Sequence, residues 1–167
     1  MKKEIRTEVL CNDTDVKQAI IYIINYVKKS WYIFIITFVV IFGTLIYGIN
    51  NGFKNSLYFI LLLCIALIIL LYIIFYTIPI RSYIKFYRKR QEATYIFSEI
   101  GVQLSDENQK SFDWSLFINA YETPTAFILS DIKMNYYIFP KRCFENSSDI
   151  QIIEELLIGK IKNFRKI

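Results

Sequence analysis

Two long stretches without a charge dominate the hydrophobic pattern, residues 31–49 and 56–80. They contain 19 and 25 residues. At about 1.5 Å of helical rise per residue, the first spans roughly 28 Å, one hydrocarbon core. The second is long enough to cross with tilt. Asn50-Asn51-Gly52-Phe53-Lys54-Asn55 separates them. So short a link, rich in turn formers, predicts an antiparallel helical hairpin. A cleaved leader is disfavoured, because the first run starts about thirty residues in and a second follows at once. Pro79 is expected to kink or end the second helix.

The flanks are patterned differently. Residues 4–10 alternate roughly, as a short strand does. Asn12, Asp13 and Thr14 offer helix caps. Val16, Ala19, Ile20, Ile23, Ile24 and Val27 then recur at helical spacing. That stripe is expected to lie in the membrane interface or on a soluble domain. From Ala93 onward the period becomes two. Short strands are predicted near 94–98, 102–105, 111–115, 117–122, 126–129 and 136–139, with turns at Gly101, 106–109 and 130–131. Ser148 and Gln151 have capping-box spacing. Ile150, Ile153, Leu157, Ile161 and Phe164 follow as the apolar stripe of a closing helix. That helix must pack on the strands, which predicts an α+β membrane protein: a two-helix hairpin plus a bent antiparallel sheet capped by a C-terminal helix. The expected segments are a strand and amphipathic helix (1–30), the hairpin (31–80), a basic-aromatic segment (81–90) and a soluble domain (91–167). Whether the first strand joins the later sheet stays open at this point.

Charge adds orientation. Residues 1–30 hold six Lys and Arg, the link holds one, and residues 81–90 hold five: Arg81, Lys85, Arg88, Lys89 and Arg90. The positive-inside rule then predicts both termini in the cytoplasm. The five cations are candidate membrane-surface contacts, set against anionic phospholipid headgroups. Nucleic acid is excluded as a partner on charge, because residues 91–167 hold 11 acidic against 8 basic residues. The 54 % apolar content is concentrated in the hairpin, so the remainder has a soluble balance. Abundant Ile, Lys, Asn, Phe and Tyr read as an AT-rich bacterial bias.

Candidate chemistry is sparse. Histidine is absent, which removes the commonest general base and metal ligand. Cys11, Cys64 and Cys143 have no metal-ligand spacing, and Cys143 lacks a histidine to activate it. Asp113 and Glu122 have no spacing that makes them a pair. No cofactor is expected, and an enzyme is disfavoured. Trp114 reads as core. Lys141 and Arg142, after Pro140, read either as a solvated strand exit or as candidate partner-binding residues for an acidic partner or headgroups. With no ionisable residue inside the spans, the hairpin reads as an anchor, with an oligomerising hairpin, and so a homo-oligomer, as the alternative.

Thr94-Tyr95-x-Phe97, Gly101-Val102, Phe112-x-Trp114 and Ile138-x-Pro140-Lys141-Arg142-x-Phe144, in that order before a closing helix, resemble the YcxB-like family of bacterial membrane proteins. The strand, helix and two-span hairpin upstream fit the same layout. Leu116 departs from the acidic residue often found there, which leaves Trp114 as core. The resemblance implies a pleckstrin-homology-like C-terminal domain and supplies no reaction. The expected function is therefore a non-enzymatic module anchored in the bacterial cytoplasmic (inner) membrane that binds a protein partner. An immunity protein against a toxin or bacteriocin is the concrete form. An accessory subunit of a transport or envelope assembly is the alternative.

Overall fold

A computed structural model describes residues 4–52, 55–89, 93–105 and 110–166. Lys2, Lys3, Lys54, Arg90 and the expected polar turn at 106–109 lie outside these residues. The chain separates into two units, residues 1–22 with 83–167, and residues 23–82.

The first unit is built from both ends of the chain. Strand β1 (Ile5–Val9) pairs antiparallel with β2 (Ala93–Phe97), in a register that sets Ile5 against Phe97 and Val9 against Ala93. This settles the question that the pattern left open: the N-terminal strand joins the C-terminal sheet. Strands β3 (Gly101–Ser105) and β4 (Ser111–Asp113) complete a four-stranded sheet in the order β1-β2-β3-β4. The second sheet holds β5 (Phe117–Glu122), β6 (Ala126–Asp131), β7 (Tyr136–Pro140) and β8 (Asn163–Lys166). Its order is β7-β6-β5-β8. The expected single bent sheet is thus divided in two.

The division falls at Trp114–Leu116. The pattern predicts a strand through Trp114, but the chain makes a 3₁₀ turn there. Asp113 causes it: its carboxylate accepts from the Ser115 backbone N–H at 2.8 Å and caps the turn. Trp114 is buried, and its indole N–H donates to the Ser98 carbonyl at 2.9 Å.

One core serves both sheets. Ile5, Val9, Phe97 and Val102 from the first meet Ala120, Phe127, Leu129 and Phe139 from the second. Helix α5 (Ser147–Lys160) contributes Ile153 and Leu157. The expected capping box does not form, since Asn146 takes the N-cap position and Ser148 lies inside the first turn. The helix also stops before Phe164. The last residues instead form β8, parallel to β5, with Phe164 opposite Ala120. Helix α1 (Asp13–Tyr22) buries Val16, Ala19 and Ile20 and packs on β6 and β7, so its stripe faces the domain.

Gly101 opens β3 rather than forming the turn. A Cβ there would lie 2.2 Å from the Phe112 carbonyl oxygen across the β3–β4 pair. Backbone cannot rotate away as a side chain can. Gly101→Ala is therefore expected to cost about 2 kcal/mol, the range of overpacked cores. Urea unfolding of the chain in mild detergent, read by tryptophan fluorescence, checks it. An unchanged midpoint would show that β4 yields.

The second unit carries α2 (Trp31–Asn51) and α3 (Asn55–Tyr72), packed together. Among the described residues, two helices are long and apolar enough to cross a membrane, Trp31–Asn51 and Asn55–Arg88. Their large apolar side chains face outward, Phe38 and Leu62 both at 64 % exposure. Polar side chains are satisfied within the helix. Thr37 donates to the Ile33 carbonyl and Thr44 to the Val40 carbonyl. A hydrocarbon environment demands this of polar groups. The helix does not end at Pro79. A π turn at Ile73–Thr77 comes first, and helix α4 (Ile78–Arg88) continues through the proline. The wider turn relieves the clash that a proline ring makes with the carbonyl four residues earlier.

Candidate functional site

Helix α4 carries the basic-aromatic segment, and its two chemistries separate by face. Tyr83 and Tyr87 stand four residues apart and so share one face. The Tyr87 hydroxyl donates to the Tyr136 carbonyl at 3.1 Å and accepts from the Ile138 N–H at 2.8 Å. Strand β7 is an edge strand, whose outer backbone groups need partners. Tyr87 supplies two of them with one buried hydroxyl. The Tyr83 ring lies 6.0 Å from that of Tyr136. Burial pushes the Tyr136 phenol up to about 12.

Arg81, Lys85 and Lys89 recur every fourth residue and are exposed. Arg88 is engaged: its guanidinium grips both oxygens of Asp13 at the start of α1. The hydrogen bond from Arg88 holds the Asp13 carboxyl below its usual range. Three of the five expected surface cations are thus presented to solvent, one is bonded within the fold, and Arg90 lies outside the described residues.

Lys141 and Arg142 occupy a 3₁₀ turn directly after β7. The Lys141 backbone N–H donates to the Thr125 carbonyl at 2.8 Å, which fixes the turn to the loop between β5 and β6. Its ammonium donates to Glu122 Oε1 at 2.6 Å and stands 5.1 Å from the centre of the Phe127 ring. Glu122 is buried, with 4 % of its side chain exposed. Its second oxygen lies 3.1 Å from Lys166 Nζ, which also pairs with Glu154 of α5 at 3.0 Å. Burial pushes the Glu122 carboxyl up, but the hydrogen bonds and charges of Lys141 and Lys166 outweigh it, and the group titrates below its usual range. Arg142 reaches the other way. Its Nη2 donates to Asp15 Oδ2 and to the Leu10 carbonyl, each at 2.7 Å. The next residue, Cys143, accepts from the Thr7 hydroxyl through its carbonyl at 2.7 Å.

The structure therefore gives both candidate partner-binding cations an intramolecular carboxylate. Pro140-Lys141-Arg142 acts as a brace. Lys141 ties the end of β7 to β5, and Arg142 ties it to Leu10 just after β1 and to Asp15 in the first turn of α1. Asp113 and Glu122 each have their own local partners. Among the described residues, no group of three or more His, Cys, Asp and Glu could hold a metal ion.

A separate cluster lies in the second unit, at two π turns, Ile23–Val27 and Ile73–Thr77. The Tyr76 hydroxyl donates to Asn25 Oδ1 at 2.5 Å, joining them. Asn25, Tyr26, Lys29, Trp31, Tyr32 and Tyr76 line an open cleft beside that bond. The hydrophobic pattern does not reveal this pair, because the two residues are 51 positions apart.

The segment that holds the brace also carries the family signal. Residues 97–157 match the family of YcxB-like proteins. Over this segment the chain is similar to YcxB-like proteins. The matched segment runs from the last residue of β2 into α5, and so contains Gly101, Trp114, Glu122 and Pro140-Lys141-Arg142. Comparison with curated proteins and with solved structures gives no match.

Proposed function

We propose that this chain is a non-enzymatic binding module anchored in the bacterial inner membrane, with a pleckstrin-homology-like domain held at the cytoplasmic face to engage a protein partner. One observation carries the reading. Strand β1 pairs with β2 although both long apolar helices lie between them in the chain. Two crossings return a chain to the side it left, and the paired strands require that return. Exposed Arg81, Lys85 and Lys89 at the end of the second helix favour the cytoplasmic side. The division of labour also supports an anchor: one unit carries the apolar outward faces, the other the closed core. Two sheets around one core with a packed C-terminal helix agree with the pleckstrin-homology-like expectation, an argument from fold alone.

Reporter fusions test the topology. A fluorescent protein that folds only in the cytoplasm is expected to report from either terminus and to stay dark when inserted after Gly52. A bright insertion after Gly52 would overturn it. Capture in mild detergent tests the role. Partners held by the native chain should still be held when the hairpin is exchanged for an unrelated two-span anchor. If capture needs the native hairpin, the chain is an accessory subunit instead.

A further inference from the structure

The cleft beside the Asn25–Tyr76 bond is lined wholly by residues of the unit 23–82. It is open and about 710 Å³ in volume, within the range of ligand sites. Asn25 and Tyr76 each stand on a π turn, a widening of the helix that often marks functional positions. Tyr76 is fixed in place. Its ring stands 5.8 Å from Phe34 and 5.6 Å from Tyr72, and its hydroxyl is bonded to Asn25. After Asn25 the chain turns a sharp corner. The Ser30 N–H donates to the Ile24 carbonyl at 3.1 Å, and Lys29 takes a left-handed backbone at φ 51°. Trp31 and Tyr32 follow, their rings stacked at 3.9 Å.

Three polar groups of this lining are donors in want of an acceptor. Tyr76 donates to Asn25 Oδ1, which engages the carbonyl of that amide and leaves its NH2 group. Lys29 brings an ammonium and Trp31 an indole N–H, neither of which can accept. Among the described residues, none of these three donor groups has a hydrogen-bond acceptor or an ion-pair partner. No carboxylate lines the cleft. The cations Arg88, Lys141, Arg142 and Lys166 differ, since each pairs with a carboxylate. Unmatched donors around a positively charged space fit a ligand that is anionic and only accepts. A phosphodiester is such a group. Aromatic rings alone would suit a quaternary ammonium. The Lys29 charge at the same cleft opposes one.

We infer that this cleft holds the headgroup of one anionic phospholipid, whose phosphodiester oxygens accept from Lys29, Trp31 and the Asn25 amide. The rings of Trp31, Tyr32 and Tyr76 pack on the glycerol. The acyl chains run along the exposed apolar side chains that follow on α2, Ile35 and Phe38 among them. Lys29 is the last charge before the first uncharged run, and Tyr76 lies four residues from the end of the second. The cleft thus stands where both apolar stretches meet their basic flanks. In a spanning hairpin that is headgroup level, where Trp and Tyr concentrate. A lipid reaches the cleft only if the two long helices cross a bilayer, so the assignment rests on the membrane-crossing reading above.

Native mass spectrometry of the full chain, released from nanodiscs of phosphatidylcholine and phosphatidylglycerol, tests the site. The native protein is expected to retain one phosphatidylglycerol in preference to phosphatidylcholine. Lys29→Gln should reduce that adduct about tenfold, the loss of one charge-assisted hydrogen bond. Lys28→Gln is the control, because Lys28 carries the same charge one residue away and lies outside the lining. Both lysines are exposed, so neither exchange threatens the fold. An adduct unchanged by Lys29→Gln, or reduced equally by both exchanges, overturns the inference in favour of diffuse attraction to the leaflet. Equal retention of the two lipids overturns it as well. So does displacement of the adduct by soluble glycerol 3-phosphate, which would make the ligand a free phosphate ester. Flotation of the chain with vesicles separates the two readings. A chain that stays in the soluble fraction overturns the membrane-crossing reading and the lipid site with it. An embedded chain without an adduct overturns the site alone.

Discussion

Replacing Lys141 with methionine is expected to destabilise the domain by about 3 kcal/mol, the low end for a buried carboxylate stripped of its partner. The low end applies because one ammonium remains. Lys166 stays 3.1 Å from Glu122 but is two-thirds exposed and shared with Glu154. Glu122 cannot turn to water, since its residue is 3 % exposed. The double replacement of Glu122 and Lys141 by methionine should recover most of the loss, because neither charge is then buried. Acid titration distinguishes this account from lost packing. The native Glu122 carboxyl titrates below its usual range. Its contribution is therefore present above the ordinary glutamate pKa and lost as pH falls through the lowered value. In Lys141→Met, burial dominates and the carboxyl moves up. Acidification then protonates the buried group and relieves part of the damage. Chemical unfolding from pH 7 to pH 4 should show the native protein weakening toward the acid end while the variant gains on it. Parallel curves would mean that Lys141 acts only through its contact with Phe127.

This brace shows what a linear pattern can and cannot reveal. Proline followed by two cations at the end of an aromatic strand stood out in the sequence, and so did the strand itself. The partners did not. Asp15 lies 127 positions from Arg142, and no local rule connects them. The same distance effect hid Tyr87, legible as part of a basic-aromatic segment but not as the hydroxyl that closes an edge strand. Uncharged runs and alternating strands were legible because each reports its own environment over several residues. Strand β8 was not, because Asn163–Lys166 has one apolar residue in four and continues the periodicity of α5. Phe164 fits a helical stripe as well as a strand. Only its place opposite Ala120, in a parallel pair with β5, decides between them. Trp114 was legible as core and misread as strand, since the Asp113 cap that turns the chain acts within two residues and leaves the burial pattern almost unchanged.

Removing residues 1–11 is expected to abolish the cooperative fold of a unit whose other strands begin at Ala93, more than eighty residues later. Strand β1 buries Ile5, Thr7 and Val9 on alternate positions. Full burial of two such aliphatic side chains contributes about 1.5–3 kcal/mol each. The antiparallel ladder with β2 adds backbone hydrogen bonds at roughly 1 kcal/mol net each. The Thr7 bond to Cys143 and the Arg142 bond to Leu10 are lost as well. The total approaches the 5–15 kcal/mol that holds an ordinary domain together. Hydrogen exchange in mild detergent should show amides of β2 and β3 losing protection, while α2 and α3 keep theirs. Retained protection in β2 would mean that the first sheet stands without its N-terminal strand. The consequence reaches into assembly. β1 is synthesised before either apolar helix, and β2 after both. The core that they share cannot close until the hairpin has been made and, if the hairpin crosses a membrane as proposed, until both flanks lie on one side of it. A hairpin inserted with the wrong number of crossings would strand β1 from β2 and leave Phe97 and Val102 exposed. On the proposed membrane-crossing reading, the pairing of Val9 with Ala93 makes a folded domain the signature of a correctly inserted hairpin.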